Sequence, residues 1–195
     1  MRITTFNVNG VNGRLEVLLR WLDDTNPDIV CLQELKAAPE RFPLMALRAA
    51  GYQCLWHGQK SWNGVAILAR GAEPIETMRG LAGDDGDQQS RYLEAAVRGV
   101  IVACVYVPNG NPAPGPKFDL KLAWLGRLQA RARELRESGA PVVIAGDFNI
   151  IPTAFDVYRP ERWVDDALFR PEVRTAWTRL LADGWTDALP GSLAG

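Results

Sequence analysis

A chain of 195 residues is long enough to bury one sizeable core and marginal for two. With 47% hydrophobic and 23% charged residues it excludes a disordered chain. A formal net charge of −1 excludes a globally basic binder of nucleic acid, so any such binding would have to rest on a local patch.

The elements alternate from the start. Residues 2–7 read as a strand, and Leu15, Leu18, Leu19 and Leu22 recur at helical spacing. Thr25-Asn26-Pro27 breaks that helix, and residues 28–32 form the next strand. A helix is expected over residues 40–50, stopped by Gly51 and tolerating Pro43 only in its first turn. Residues 52–57, 64–69, 92–97 and 100–106 read as strands, with Arg98-Gly99 as a tight hairpin turn. Residues 80–90, rich in Gly, Asp and Gln, read as an exposed loop. A long helix is expected over 117–137, a strand over 142–145, an irregular excursion over 150–171 and a helix over 172–182. Gly184-Trp185-Thr186-Asp187 opens one further strand in this reading. No repeat, low-complexity tract or linker divides the chain.

Three strand ends carry chemistry. Asn7 and Asn9 follow the first strand, Glu34 follows the second, and Gly146-Asp147-Phe148-Asn149 follows the apolar run 141–145. Open α/β sheets place their ligands at such carboxyl ends. Glu34 is a hard oxygen ligand and Asn7 offers an amide oxygen beside it, which suits Mg²⁺, an ion that keeps several waters and completes its shell with substrate phosphate. Asp147 is placed to orient or deprotonate a water. Asn149, two residues on in an extended segment, is expected on the same side and in reach of the phosphate or the metal shell. Tyr106 closes a strand ahead of Pro108-Asn109-Gly110 and can turn its hydroxyl to the same rim. Taken singly each residue also suits a turn, a cap or a core position. Together, in this order, they suit hydrolysis of a phosphodiester or phosphomonoester.

The segments Asn7-Val8-Asn9-Gly10, Leu32-Gln33-Glu34-Leu35-Lys36, Gly58-Gln59-Lys60, Asn63-Gly64-Val65-Ala66, Tyr106-Val107-Pro108-Asn109-Gly110 and Gly146-Asp147-Phe148-Asn149 resemble exonuclease III. That is the abasic-site endonuclease branch of the endonuclease/exonuclease/phosphatase superfamily. The resemblance covers residues 1–189. It implies a four-layer α/β sandwich, two β-sheets flanked by helices. It implies Mg²⁺-dependent cleavage at abasic sites, with Mn²⁺ as a substitute, and 3′→5′ removal of nucleotides from duplex DNA. Glu34 matches the principal metal ligand and Asn7 its neighbour, with Asp147 and Asn149 touching the ion according to its occupancy. Tyr106, Asp147 and Asn149 match the catalytic tyrosine, the proton-handling aspartate and the phosphate-binding asparagine. Asn9, Arg91, Asn109, Asn111, Lys117 and Lys121 are the expected DNA contacts. The two lysines head a stretch that also holds Arg127, Arg131, Arg133 and Arg136.

The family pattern continues past this sequence, where it supplies an aspartate–histidine pair. The single histidine, His57, matches a different family histidine and is expected to be structural or at the substrate rim. The second sheet is therefore expected to be incomplete, with an open apolar edge, and residues 190–195 to form a flexible divergent tail. Two other readings stay open: a catalytically dead DNA-binding fragment or pseudoenzyme, and a phosphatase of another superfamily branch. The expected partner is duplex DNA with abasic sites or 3′ ends, with no membrane and no obligate protein partner. Cys31, Cys54 and Cys104 lie far apart in apolar runs without metal-ligand spacing. With no signal-peptide pattern or spanning segment, the expected location is the cytoplasm, at the nucleoid if the source is bacterial.

Overall fold

The computed structural model of the chain describes residues 1–188, so the expected tail at 190–195 lies outside the described residues. The chain divides into two compact units, Met1–Tyr106 with Ser138–Phe148, and Val107–Glu137 with the segment from Asn149 onward.

The first unit holds β1 (Ile3–Asn7), α1 (Leu15–Thr25), β2 (Ile29–Gln33), α2 (Leu44–Ala49), β3 (Tyr52–His57), β4 (Val65–Arg70), β5 (Ile75–Arg79), β6 (Tyr92–Val97), β7 (Val100–Tyr106) and β8 (Val142–Asp147). Its strands form two four-stranded sheets, in the orders β1-β2-β4-β3 and β5-β6-β7-β8. β2 explains the layering. Every residue of it is buried. Val30 and Leu32 pack with Leu18 and Leu22 of α1 and Leu47 of α2. Ile29 and Cys31 pack with Leu93, Ala95 and Val97 of β6 and Val102 and Cys104 of β7. A strand covered on both faces needs a continuous apolar run, and Ile-Val-Cys-Leu supplies one. Each such fully buried Leu, Ile or Val stabilises the fold by about 1.5–3 kcal/mol.

Among the described residues only two strand pairs are parallel, β1 with β2 and β7 with β8. β8 is an edge strand without a partner on its outer side among the described residues. All six of its residues are partly exposed.

Several expectations need correction. The helix over 40–50 is split into a 3-10 turn at Pro39–Arg41 and the short α2. Phe42 precedes a proline, takes an extended ψ of 134°, and cannot continue a helix. β5 went unread because its residues are mostly exposed and show no alternation. It is recognisable only through its pairing with β6, across a bulge at Glu76/Met78. β8 runs on through Gly146 and Asp147. Residues 184–188 carry no strand; α4 (Pro171–Ala182) is followed by a turn at Gly184, with φ 97°. A strand exists by pairing, and local composition at 184–187 could not supply a partner. The Arg98-Gly99 turn is as expected, with φ of 50° and 82° linking the paired Val97 and Val100.

The second unit is helical. α3 (Pro116–Glu137) buries Phe118, Trp124, Leu125, Leu128, Ala132 and Leu135. α4 buries Val173 and Leu180, and Ala176 accepts a hydrogen bond from Gln129 of α3 at 3.0 Å. Between β8 and α4 the chain is irregular apart from 3-10 turns at Ala154–Asp156 and Pro160–Arg162, as expected for 150–171. No helix of the described residues is long and apolar enough to cross a membrane.

Gly146 is fixed by close approach. It pairs with Val105, and a Cβ on it would run into the Val105 carbonyl oxygen, with the Val105 carbonyl carbon and amide nitrogen each at 2.8 Å. Its φ of 152° adds to the strain on any side chain. Gly146→Ala should lower unfolding stability by about 3 kcal/mol or more. Denaturant titration checks this, and a loss under about 0.5 kcal/mol would mean that β7 and β8 can separate at no cost.

Candidate active site

The two parallel pairs end alike. Asn7 closes β1 opposite Gln33, and Tyr106 closes β7 opposite Asp147. Parallel neighbours keep their carboxyl ends together, and face-to-face packing brings the two sets of ends into one place. The Asn7 amide nitrogen joins them, donating to Glu34 Oε1 and to Asp147 Oδ2 at 2.9 Å each. The Tyr106 hydroxyl donates to the same Glu34 oxygen at 3.0 Å. The other Glu34 oxygen pairs with Lys36 Nζ at 2.7 Å. Asn7, Glu34, Tyr106 and Asp147 are thus brought together as expected.

The Asn7 amide is turned differently from the expectation. Its nitrogen faces the carboxylates, and its oxygen accepts from the Asn9 N–H at 3.1 Å. Presenting the oxygen to a cation would require a flip of the amide. Two carboxylates facing one point favour this orientation, because an N–H group offsets their repulsion and a carbonyl adds to it.

The loop carrying Glu34 is held by backbone. Glu34 and Lys36 both adopt positive φ, 54° and 48°, which costs of order 1 kcal/mol each for non-glycine residues. Backbone bonds over-determine the loop on both sides. Gly10 and Val11 donate to the Glu34 and Leu35 carbonyls, and Leu35 and Lys36 donate to those of Gly64 and Asn63. Gly64, with φ 110°, lies so close that a Cβ would sit 2.7 Å from Leu35 Cβ. This gives the Asn63-Gly64 segment a physical role. Gln33 is buried beneath the site, where its amide bonds Cys31 O and Cys104 Sγ and accepts from Thr5.

Burial pushes the Glu34 carboxyl up. Hydrogen bonds from Lys36, Asn7 and Tyr106 outweigh that effect and hold it below the usual carboxylate range. Tyr106 is pushed up to about 12 by burial and then by the charge and hydrogen bond of Glu34. At neutral pH it is a hydroxyl donor and not a phenolate. Sequence reasoning gave Lys36 no role although it stands in the Gln-Glu-Leu-Lys segment. The signal was the second charge, two residues after an acid at a strand end. His57 lies on β3, with its ring 3.5 Å from the Tyr92 carbonyl oxygen, and burial lowers its pKa.

The second unit carries four expected residues and a correction. Lys121 is fully buried, and its ammonium holds the Asn109 and Asn149 carbonyls. It is a structural cation inside the unit and is withdrawn as a DNA contact. Helical spacing from Lys117 could not reveal this. Gly110 makes room for it, since a Cβ there would lie 2.7 Å from Lys121 Cδ. Asn149 has φ 49°, so the extended alternation behind its expected direction does not apply. Its amide nitrogen donates to Val107 O at 2.8 Å. Asn111 spends both ends of its amide on Asp166 and Ala167. Asn109 and Lys117 are exposed, as is Asn9 in the first unit.

The sequence pattern of the endonuclease/exonuclease/phosphatase family matches residues 4–192. Exodeoxyribonuclease III of Haemophilus influenzae is 33% identical over 199 residues, covering 96% of this chain and 74% of its own length. An AP endonuclease from Archaeoglobus fulgidus superposes with a TM-score of 0.91 at 33% identity, over 96% of this chain and 72% of that one. A Neisseria 3′ phosphatase bound to a product DNA hairpin gives 0.91 at 40% identity, again over 96% and 72%. The chain therefore spans about three quarters of each. With both sheets, the paired strand ends and this match over nearly all its residues, the chain belongs to the endonuclease/exonuclease/phosphatase family, alongside exodeoxyribonuclease III and the AP endonucleases.

Proposed function

We propose that the chain is a DNA-repair nuclease of the exonuclease III type, a metal-dependent hydrolase of DNA phosphoesters acting at abasic sites and 3′ ends. One observation carries the reading: Glu34 and Asp147 share a single amide donor at the ends of the two parallel strand pairs. A phosphate brought to two carboxylates is repelled unless a cation joins them. The donors fit a hard divalent ion. Two carboxylates in an open arrangement leave room for waters and substrate phosphate, as Mg²⁺ prefers and Mn²⁺ accepts. Among the described residues no group of three or more His, Cys, Asp or Glu side chains offers a closed cage.

Glu34 and Asp147 would hold the ion, with Asn7 after a flip of its amide. When bound, the ion neutralises phosphate charge and acidifies water. Asp147 orients the attacking water and takes its proton as the new P–O bond forms and the ester P–O bond breaks. Tyr106, protonated at neutral pH, directs its O–H toward the charged oxygens. Asn149 is the phosphate-binding residue by resemblance. Asn9, Asn109 and Lys117, all exposed, are the proposed contacts to the DNA backbone. Three free cysteines are in keeping with a reducing cytoplasm. A second reading, removal of a 3′ phosphate from DNA, is favoured by the likeness to the Neisseria 3′ phosphatase.

The deciding assay offers one chain an abasic duplex, a recessed 3′ end and a 3′-phosphorylated end, with Mg²⁺, Mn²⁺ or EDTA. Nicking of the abasic duplex with either metal, abolished by EDTA and cut by roughly 100-fold or more in Asp147→Asn, is expected. Salt-sensitive binding of duplex without turnover would instead make the chain a DNA-binding pseudoenzyme. Release of 3′ phosphate alone would favour the second reading.

The two lysines should separate. Lys117→Ala should reduce the slope of log affinity against log salt by about one. Lys121→Met should leave that slope alone and cost about 1–3 kcal/mol of stability, from the carbonyls it leaves unbonded. The reverse pattern would restore Lys121 as a phosphate contact.

Glu34 also sets an acid limit. Its carboxyl is depressed in the folded chain, so its contribution is present above the ordinary value of 4.5 and is lost as pH falls through the lower folded value. Lys36→Met removes the strongest lowering partner while burial remains, so acid unfolding followed by circular dichroism should begin at higher pH. A midpoint at the wild-type pH would show that the Lys36–Glu34 pair contributes nothing.

A further inference from the structure

We propose that Arg91 is a positioning residue for Tyr106. The inference deepens the nuclease reading and rests on it. The Arg91 guanidinium lies over the Tyr106 ring, 4.7 Å from its centroid. One of its terminal nitrogens donates to the Tyr106 carbonyl at 3.2 Å, and its Nε donates to Gln89 Oε1 at 2.7 Å. The backbones are tied as well, with the Tyr106 N–H donating to the Arg91 carbonyl at 2.8 Å. A planar cation stacked on the ring face and bonded to the same residue's backbone carbonyl holds the tyrosine in place.

The clamp has a base of its own. Gln89 Oε1 also receives Asn63 Nδ2 at 3.5 Å, and that nitrogen reaches Gln59 Oε1 at 2.9 Å. Gln59 Oε1 accepts the Ser90 N–H at 3.1 Å, while the Ser90 hydroxyl donates to the Gly58 carbonyl at 3.1 Å. Asn63 and Ser90 are buried. A line of bonds thus runs from residues 58–63 through Gln89 and Arg91 to Tyr106, and from its hydroxyl to Glu34. Its effect is to fix the phenol of a half-buried strand-end residue in one direction. Free to turn, that phenol would leave Glu34 Oε1 and the charged oxygens it is to serve.

The test compares wild type, Arg91→Met, Arg91→Lys, Tyr106→Phe and the Arg91→Met/Tyr106→Phe double variant. Nicking of an abasic duplex is measured with Mg²⁺, and duplex binding is titrated against salt in EDTA. Both Arg91 variants should lose roughly 10- to 100-fold in kcat, because lysine restores charge but not the stacked plane. KM should stay within about twofold, the salt slope should be unchanged, and the double variant should be no slower than Tyr106→Phe. A slope lower by about one in Arg91→Met, with Arg91→Lys near wild type in kcat, makes Arg91 a phosphate contact and overturns the proposal. Additive losses in the double variant overturn it too. If wild type fails to nick DNA, the nuclease reading falls by itself. The salt slope then decides Arg91 alone, an unchanged slope supporting the clamp and a reduced one rejecting it.

Discussion

The site depends on two parallel strand pairs, one in each sheet, ending at the same level with the Asn7 amide between them. Every other pairing in the two sheets is antiparallel. An antiparallel neighbour sends its carboxyl end the opposite way, so only β1/β2 and β7/β8 can each deliver two carboxyl ends to one place. Asn7 then bonds a carboxylate from each side at 2.9 Å. A single neutral donor pair is enough to hold two acids together, but it leaves their charge in place. That residual charge is the physical basis of the proposed cation and phosphate binding.

Holding this arrangement takes strain elsewhere. Glu34, Lys36 and Asn149 all occupy the left-handed region without being glycine. Such positions persist only when surrounding bonds over-determine them. Around Glu34 the backbone of residues 8–11 on one side and Asn63-Gly64 on the other supplies those bonds. Around Asn149 the second unit uses a buried ammonium, Lys121, to gather the carbonyls of Asn109 and Asn149. An ion inside a helical unit is costly unless it is fully bonded, and its contribution is to define one arrangement of irregular chain.

Chemistry was easier to read from the residues than conformation. The acids, the amides and the tyrosine stood at ends of apolar runs, and strand ends are legible because burial on both faces forces continuous hydrophobic sequence, as in Ile29–Gln33. β5 was illegible for the opposite reason. Its edge position lets Glu76 and Arg79 face solvent and each other, which erases alternation. The helix at 40–50 failed on a local rule, the exclusion of Phe42 from helical backbone by Pro43. Lys121 failed on a tertiary one, since Gly110, eleven residues earlier and packed against it, opens room for its side chain. Asn7 kept its place but not its orientation, because the second acid that turns its amide, Asp147, stands 140 residues later.

The three compared proteins carry names for three reactions: exodeoxyribonuclease, AP endonuclease and 3′ phosphatase. All three names are those of enzymes acting on phosphoesters. In the proposed site, Asn7, Glu34, Tyr106 and Asp147 would meet only the phosphate and the water, and so would not distinguish an internal ester from a terminal one. Choice among esters must then be made by whatever positions the strand. Residues that fix the reacting groups, such as Gly146 and Gly64, leave little freedom for change, whereas exposed contact residues can vary at small cost in stability.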